Sequence, residues 1–403
     1  MSSIWAARGM PALVAVTLTG FSGYGTLLAS APLYAVQGGS TTAGSGLVNG
    51  VLLLFTVLTQ LFVPPLLRRF GWAAVMNAGM LLMGLPALAH LLSDQLTPIL
   101  VLSAVRGVGF GILTVTGSAA VAELVPPARR GAAIGAYGLA IALPNLVLLP
   151  LAPWVAQTWS FTWVFLVAAV PLAGVPAVMR LARALPAPPR RSEPLGELPP
   201  SQAGDGRDDM SQGTAYLLLL RPTFLLLGAT LCGGALTTFA PQMTDSGAAS
   251  TAALFAIGGT AALARWGVGG LSDRYGSYPF IWPLTVLTVV GMLLAAWAVG
   301  ADQSSAATAV LFVAAAALVG VSYGGLQNLT LVVAFDVVTR RHYQLASAVW
   351  NVGFDAGTGL GSVLVGLLAA GYDFATALMA AAAASACTIP LALIRHARSA
   401  RSE

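Results

Sequence analysis

Polar and charged positions in this chain are confined to short breaks between long apolar runs. A membrane-spanning helix needs about 20 mostly apolar residues. Twelve such windows can be read: roughly 11–36, 44–67, 72–92, 97–122, 131–155 and 160–181, then 215–241, 248–270, 279–300, 305–334, 343–370 and 372–394. The pattern predicts an all-α membrane protein with twelve transmembrane helices. Between the sixth and seventh windows, residues 182–214 are rich in Pro, Gly, Ser and charge and read as a mobile linker. The chain is therefore expected to divide into an N-terminal six-helix bundle (1–181), the linker (182–214) and a C-terminal six-helix bundle (215–403).

The two halves repeat. Pro64-Pro65-Leu66-Leu67-Arg68-Arg69-Phe70-Gly71 aligns with Gly269-Gly270-Leu271-Ser272-Asp273-Arg274-Tyr275-Gly276 at an offset of 273 − 68 = 205. Pro32 matches Pro241 at 241 − 32 = 209, and Glu123 matches Asp336 at 336 − 123 = 213. Parallel repeats of six helices are a known transporter plan, with the substrate site between them near the bilayer midplane.

Composition agrees with lipid as the solvent. Charged residues make up 8% of the chain, against about 25% in soluble proteins, too few to clothe a water-facing surface. The net charge of +5 is an orientation signal rather than a nucleic-acid footprint, because cytoplasmic loops collect positive charge. All 19 basic residues are Arg, and 18 of them fall on one side, around the linker and the loops that share its face. The opposite loops carry Asp94, Asp245, Asp302 and Asp373 and no Arg. Both termini and the linker are thus expected in the cytoplasm of a cell with this protein in its inner membrane. The first apolar stretch reads as a retained span, not a cleaved signal peptide. Cys232 and Cys387 lie in apolar runs without metal or disulfide spacing, and no cofactor is implied.

The segment Gly269–Gly276 resembles the signature loop of the major facilitator superfamily, G-x-L-x-D-R-x-G, and the drug/proton antiporter-like bacterial branch is the nearest resemblance. It implies a gating role for Gly269, Asp273, Arg274 and Gly276, whose charges hold one conformation closed in that family. The first-half copy departs from the pattern, with Arg68 in place of the Asp and Pro64 in place of the first Gly. Glu123-Leu124-Val125-Pro126-Pro127-Ala128-Arg129-Arg130-Gly131 resembles the family's loop after the fourth helix, adding Glu123 and Arg130 as gating candidates. Arg106, in Ser103-Ala104-Val105-Arg106-Gly107-Val108-Gly109, matches the family's fourth-helix motif only in part, one turn beyond the usual Arg position.

Asp355 lies about 12 residues into the eleventh window, or roughly 18 Å at 1.5 Å per residue. A charge at that depth costs roughly 2.5–3.5 kcal/mol by insertion scales, so it is expected to face protein or a water-filled cavity. Asp355 is the candidate proton carrier; the alternative is a structural cap or inter-helix pair. Arg106, the other mid-membrane charge, would serve as counter-ion to Asp355 or to an anionic substrate, or as a tie to backbone carbonyls. Arg265 resembles an Arg that some family members use for carboxylate substrates. Tyr24, Asn49, Gln60, Asn145, Tyr323, Gln327, Asn328 and Asn351 are candidate cavity-lining residues, with Tyr24, Tyr323 and Gln327 favoured because the family's cavity is lined by the helices that carry them; a single residue of this kind is more often an inter-helix hydrogen-bonder. Trp159, Trp163 and Trp350 read as an interfacial aromatic belt.

The Gly-rich run 107–111 lies inside a span and is a packing surface, not a nucleotide loop. No enzyme motif is present in the sequence. The expectation is a monomeric secondary transporter that moves a small molecule by alternating access, with proton-coupled efflux as the leading version and protons and the lipid bilayer as partners. A proton-coupled organic-anion transporter centred on Arg106 and Arg265 is the first alternative. A non-transporting receptor or sensor on the same fold is the alternative of another class.

Overall fold

The computed structural model describes residues 9–125, 130–186, 210–302, 305–339 and 342–393. Twelve helices among them are long and apolar enough to cross a membrane. They are α1 (Met10–Gln37), α2 (Thr42–Gln60), α3 (Val63–Leu92), α4 (Leu96–Leu124), α5 (Arg130–Thr158) and α6 (Phe161–Ala184), then α7 (Gln212–Met243), α8 (Gly247–Tyr275), α9 (Tyr278–Gly300), α10 (Ala306–Asp336), α11 (Tyr343–Gly371) and α12 (Phe374–Leu393). The protein is a multi-pass membrane protein of two six-helix bundles, α1–α6 and α7–α12. The central part of the expected linker, 187–209, lies outside the described residues.

Backbone polar groups have no partner in a hydrocarbon solvent, so the chain satisfies them within each helix. Several spans start on a side-chain cap: Thr41 accepts from the Gly44 N–H, Ser246 from Ala249 and Asp373 from Thr376. Buried hydroxyls turn back onto their own helix, as Thr17 does to the Leu13 carbonyl and Thr330 to Leu326.

One boundary differs from the sequence expectation. The second window, 44–67, is cut at Gln60, and α3 begins at Val63 rather than at 72. Pro64 and Pro65 start a new helix, where their missing N–H groups cost nothing. That short piece bends into the span at Gly71, whose φ of 78° and ψ of 170° only glycine adopts without strain. Gly276 ends α8 with nearly the same angles, φ 81° and ψ 162°. The two glycines are 276 − 71 = 205 residues apart, the offset of the sequence repeat.

The bundles meet along two seams, α2 against α11 and α5 against α8. Both are tight on the far face, opposite the face where α6 ends and α7 begins. On the α2–α11 seam, Gly46 lies against the Ser362 carbonyl and Phe239, and Gly366 against the Thr42 carbonyl. Glycine is required here because any Cβ would strike backbone of the opposing bundle. Asn49 donates to Thr238 of α7 at 2.9 Å, and Ser45 to Gln242 at 3.3 Å. On the α5–α8 seam, Gln157 lies against Gly247 and Leu146 against Gly258. Toward the connecting face the bundles separate. Gly138 and Gly267 have open space beside them, and Trp266 is 84% exposed. Among the described residues, the result is a cleft that widens toward the connecting face.

Candidate functional site

The cleft closes at its apex on a contact between bundles. Asp355 stands twelve residues into α11 and is buried. Its carboxylate accepts a hydrogen bond of 2.8 Å from Nε2 of Gln60, the last residue of α2. The same Nε2 lies 3.4 Å from Thr114 Oγ1 of α4. Asp355 is thus held by a neutral amide, not by a cation.

Arg106 does not pair with it. The guanidinium is 1% exposed, donates from Nη2 to the Gly23 carbonyl of α1 at 3.0 Å, and keeps Nε without a protein partner. It ties α4 to α1 inside the N-terminal bundle. Tyr24, one residue on from Gly23, stacks flat on Phe110 of α4 at 4.0 Å and 2°, with Phe21 edge-on to both. Its hydroxyl is within electrostatic reach of Asp355, Tyr323 and Arg106.

From the second bundle, α10 presents Tyr323 and Gln327, one turn apart on one face. Tyr323 lies beside Thr358 of α11 and within electrostatic reach of Asp355 and Arg265. Arg265 of α8 donates to Gln327 Oε1 at 3.1 Å and is otherwise exposed to the cleft. Asn328 fixes that turn of α8 by donating to the Arg265 carbonyl at 3.1 Å. Asn351 is exposed one turn before Asp355 and donates to the Ser347 carbonyl. Asn145 packs against Gly25, donates to the Ile141 carbonyl and leaves Oδ1 without a protein partner.

The structure therefore groups Asp355, Tyr24, Tyr323, Gln327 and Arg265 around the cleft, and withdraws Arg106 into the first bundle. Trp350 is corrected: it is 8% exposed, donates to Thr330 Oγ1 at 3.1 Å and stacks on Phe354, so it packs inside the second bundle instead of forming an aromatic belt. Trp159 and Trp163 are exposed, 66% and 57%. Of the gating candidates, Gly269 and Gly276 bracket the end of α8, Arg274 is exposed over the Tyr275 ring and Glu123 is exposed at the end of α4. The side chains of Asp273 and Arg130 lie outside what the structure describes. Phe110, Thr358 and Phe354 were not singled out from the sequence. Phe110 sits within a glycine-rich packing run, and its stacking on Tyr24 leaves no periodic signal.

Two six-helix bundles with a polar cleft between them define a membrane transporter fold. The chain belongs to the Major Facilitator Superfamily, whose family model matches residues 12–313 and 269–403. Solved structures share the fold at low identity. A bacterial homologue of the human lysosomal transporter Spinster, inward-facing and occupied, is 16% identical with a TM-score of 0.72 over 97% of each chain. A POT family transporter in complex with 5-aminolevulinic acid is 12% identical with a TM-score of 0.75, over 96% of this chain and 95% of that one. A mutant of the nucleoside transporter NupG is 12% identical with a TM-score of 0.68, over 95% and 98%. No curated protein sequence matches the chain significantly.

Proposed function

We propose that this protein is a proton-coupled secondary transporter that exports a small molecule by alternating access, with Asp355 as the proton carrier. The observation that carries the reading is the Gln60–Asp355 hydrogen bond, which joins the two bundles at the apex of the cleft. A hydrogen bond to an ionised carboxylate is worth roughly 1.5–3 kcal/mol and one between neutral groups roughly 0.5–1.5. Protonating Asp355 weakens this bond, so a proton taken up from the far face parts the α2–α11 seam toward the connecting face, where the proton leaves and substrate enters. With the arginine-rich face in the cytoplasm of an inner membrane, the cleft faces inward and loads substrate from inside. The protein works as a monomer, since each bundle finds its partner within the chain.

Arg265 favours an anionic substrate. Its guanidinium reaches the cleft with a neutral amide as its hydrogen-bonded side chain partner. The test is reconstitution into liposomes with an interior pH dye and an imposed pH gradient, followed by a panel of organic acids, bases and neutral solutes. At least one solute should move protons against its own flux in the wild type. A folded, reconstituted protein that moves protons with none of them would overturn the reading.

A further inference from the structure

The two seams differ in chemistry where they part. Near the connecting face, the α2–α11 seam carries Gln60, Asn351 and Asp355. Among the described residues, the α5–α8 seam carries the apolar side chains Leu139, Leu143, Ala262 and Trp266. On α5, the stripe that touches α8 through Leu146 and Gln157 continues toward the connecting face with Leu143 and Leu139, three and seven residues before Leu146. These two leucines are 50% and 67% exposed. On α8, the stripe that receives Leu146 at Gly259 continues with Ala262 and Trp266, and Trp266 is 84% exposed. Arg265 neighbours that stripe on its cleft side, bonded to Gln327. The facing surfaces of α5 and α8 thus form an apolar slot between cleft and bilayer, with a cation at its inner edge.

We propose that this slot admits a single-chain amphipathic organic anion from the bilayer, its acyl chain between α5 and α8 and its anionic head on Arg265. The inference rests on the transporter reading and names its substrate class. Charge complementarity selects the anion: Arg265 has a neutral hydrogen-bonding partner, and the carboxylate at the apex stands on the other seam. The length of the apolar stripe, from Leu146 to Leu139 and from Gly259 to Trp266, spans about 10 Å at 1.5 Å per residue, enough for a medium acyl chain.

The test uses a diazirine-bearing tetradecanoic acid with the full-length protein in phosphatidylcholine nanodiscs. Photo-adducts should concentrate in peptides holding Leu139, Leu143, Ala262 and Trp266. Excess dodecanoate should remove them, and dodecyltrimethylammonium should not. Arg265→Gln should lower the adduct yield about tenfold, the scale of one lost charge-assisted hydrogen bond, and Arg265→Lys should keep most of it. Trp266→Asn, a change away from both bundle cores, should lower the yield for tetradecanoic acid more than for octanoic acid. Adducts spread evenly over all lipid-facing helices, or competed equally by the cation, would overturn the proposal. Displacement by phosphatidylglycerol as readily as by dodecanoate would also overturn it, in favour of a bilayer lipid. Labelling in nanodiscs uses no pH gradient, so it does not depend on proton coupling. Site-specific labelling without pH-driven transport would sink the transporter reading alone, and pH-driven transport of hydrophilic solutes without labelling would sink the slot alone.

Discussion

Gln60 and Asp355, 295 residues apart in sequence, are joined by a 2.8 Å hydrogen bond that crosses from one bundle to the other. One partner ends α2 and the other lies in the middle of α11. The bond links the bundles on the open side of the seam, so its strength bears on how the halves move. Gln60→Ala removes the donor and leaves the carboxylate without its bonded partner. Spin labels at Leu61 and Asn351 should then report a larger population with the seam parted, by roughly tenfold for a loss of about 1.4 kcal/mol. An unchanged distance distribution would mean that the bond does not bias the conformations.

Asp355→Asn tests the proton carrier. The amide keeps the shape and some hydrogen bonding of the carboxylate and cannot ionise. pH-driven accumulation in liposomes should disappear while substrate exchange at equal pH survives. Loss of both together would point to a substrate contact or a structural role, and wild-type accumulation would remove Asp355 from the coupling.

The fold was readable because lipid simplifies the code. Twelve apolar runs, the arginine asymmetry and the 205-residue repeat each follow from the solvent or from duplication, and Gly71 and Gly276 share the same backbone angles. The boundary at Gln60 was missed because Leu61–Leu67 is apolar enough to prolong the second window, although its prolines signal a new start. In the site, Asp355 was legible as a costly charge at depth. Gln60 was legible as a candidate cavity residue but not as the partner of Asp355, since an amide at a helix end carries no mark of which helix it meets. Arg106 and Trp350 show packing deciding: of the counter-ion and the carbonyl tie that the sequence left open for Arg106 the structure makes the tie, and Trp350, read as part of an interfacial belt, packs inside its bundle.

The far-face seam can be tested at Gly46. A Cβ there would meet the Ser362 carbonyl, which belongs to the backbone of α11 and cannot turn aside. Gly46→Val should wedge the seam at a cost of about 1–3 kcal/mol, as overpacking does. A cysteine at Ser45 should become reactive to a membrane-impermeant maleimide from the far face, and transport should fall severalfold. Unchanged reactivity would show that the seam yields without opening.

The arginine asymmetry predicts an orientation that can be measured. A reporter fused at Asp205 should signal cytoplasmic exposure and one at Asp302 the opposite side, because 18 of 19 arginines share the face of residue 205. An external signal at Asp205 would invert the topology and with it the direction in which the cleft opens.

Arg106 and Arg265 separate a structural cation from a substrate-facing one. Arg106 is 1% exposed and bonded to the Gly23 carbonyl, while Arg265 is exposed to the cleft. An arginine in the middle of a span costs roughly 2.5–3.5 kcal/mol, and its charge-assisted hydrogen bond returns roughly 1.5–3. These nearly cancel, so Arg106→Gln should leave thermal stability within about 1 kcal/mol of the wild type. Its preference among anionic, cationic and neutral solutes should be unchanged, because the guanidinium does not reach the cleft. Arg265→Gln should keep stability and lose the preference for anions by about tenfold, which corresponds to about 1.4 kcal/mol. Competition assays on the reconstituted variants would read both. If Arg106→Gln were the variant that lost anion preference, the anionic site would have to be rebuilt inside the first bundle, around Gly23 and Tyr24, and Arg265 would fall to a packing role on α8.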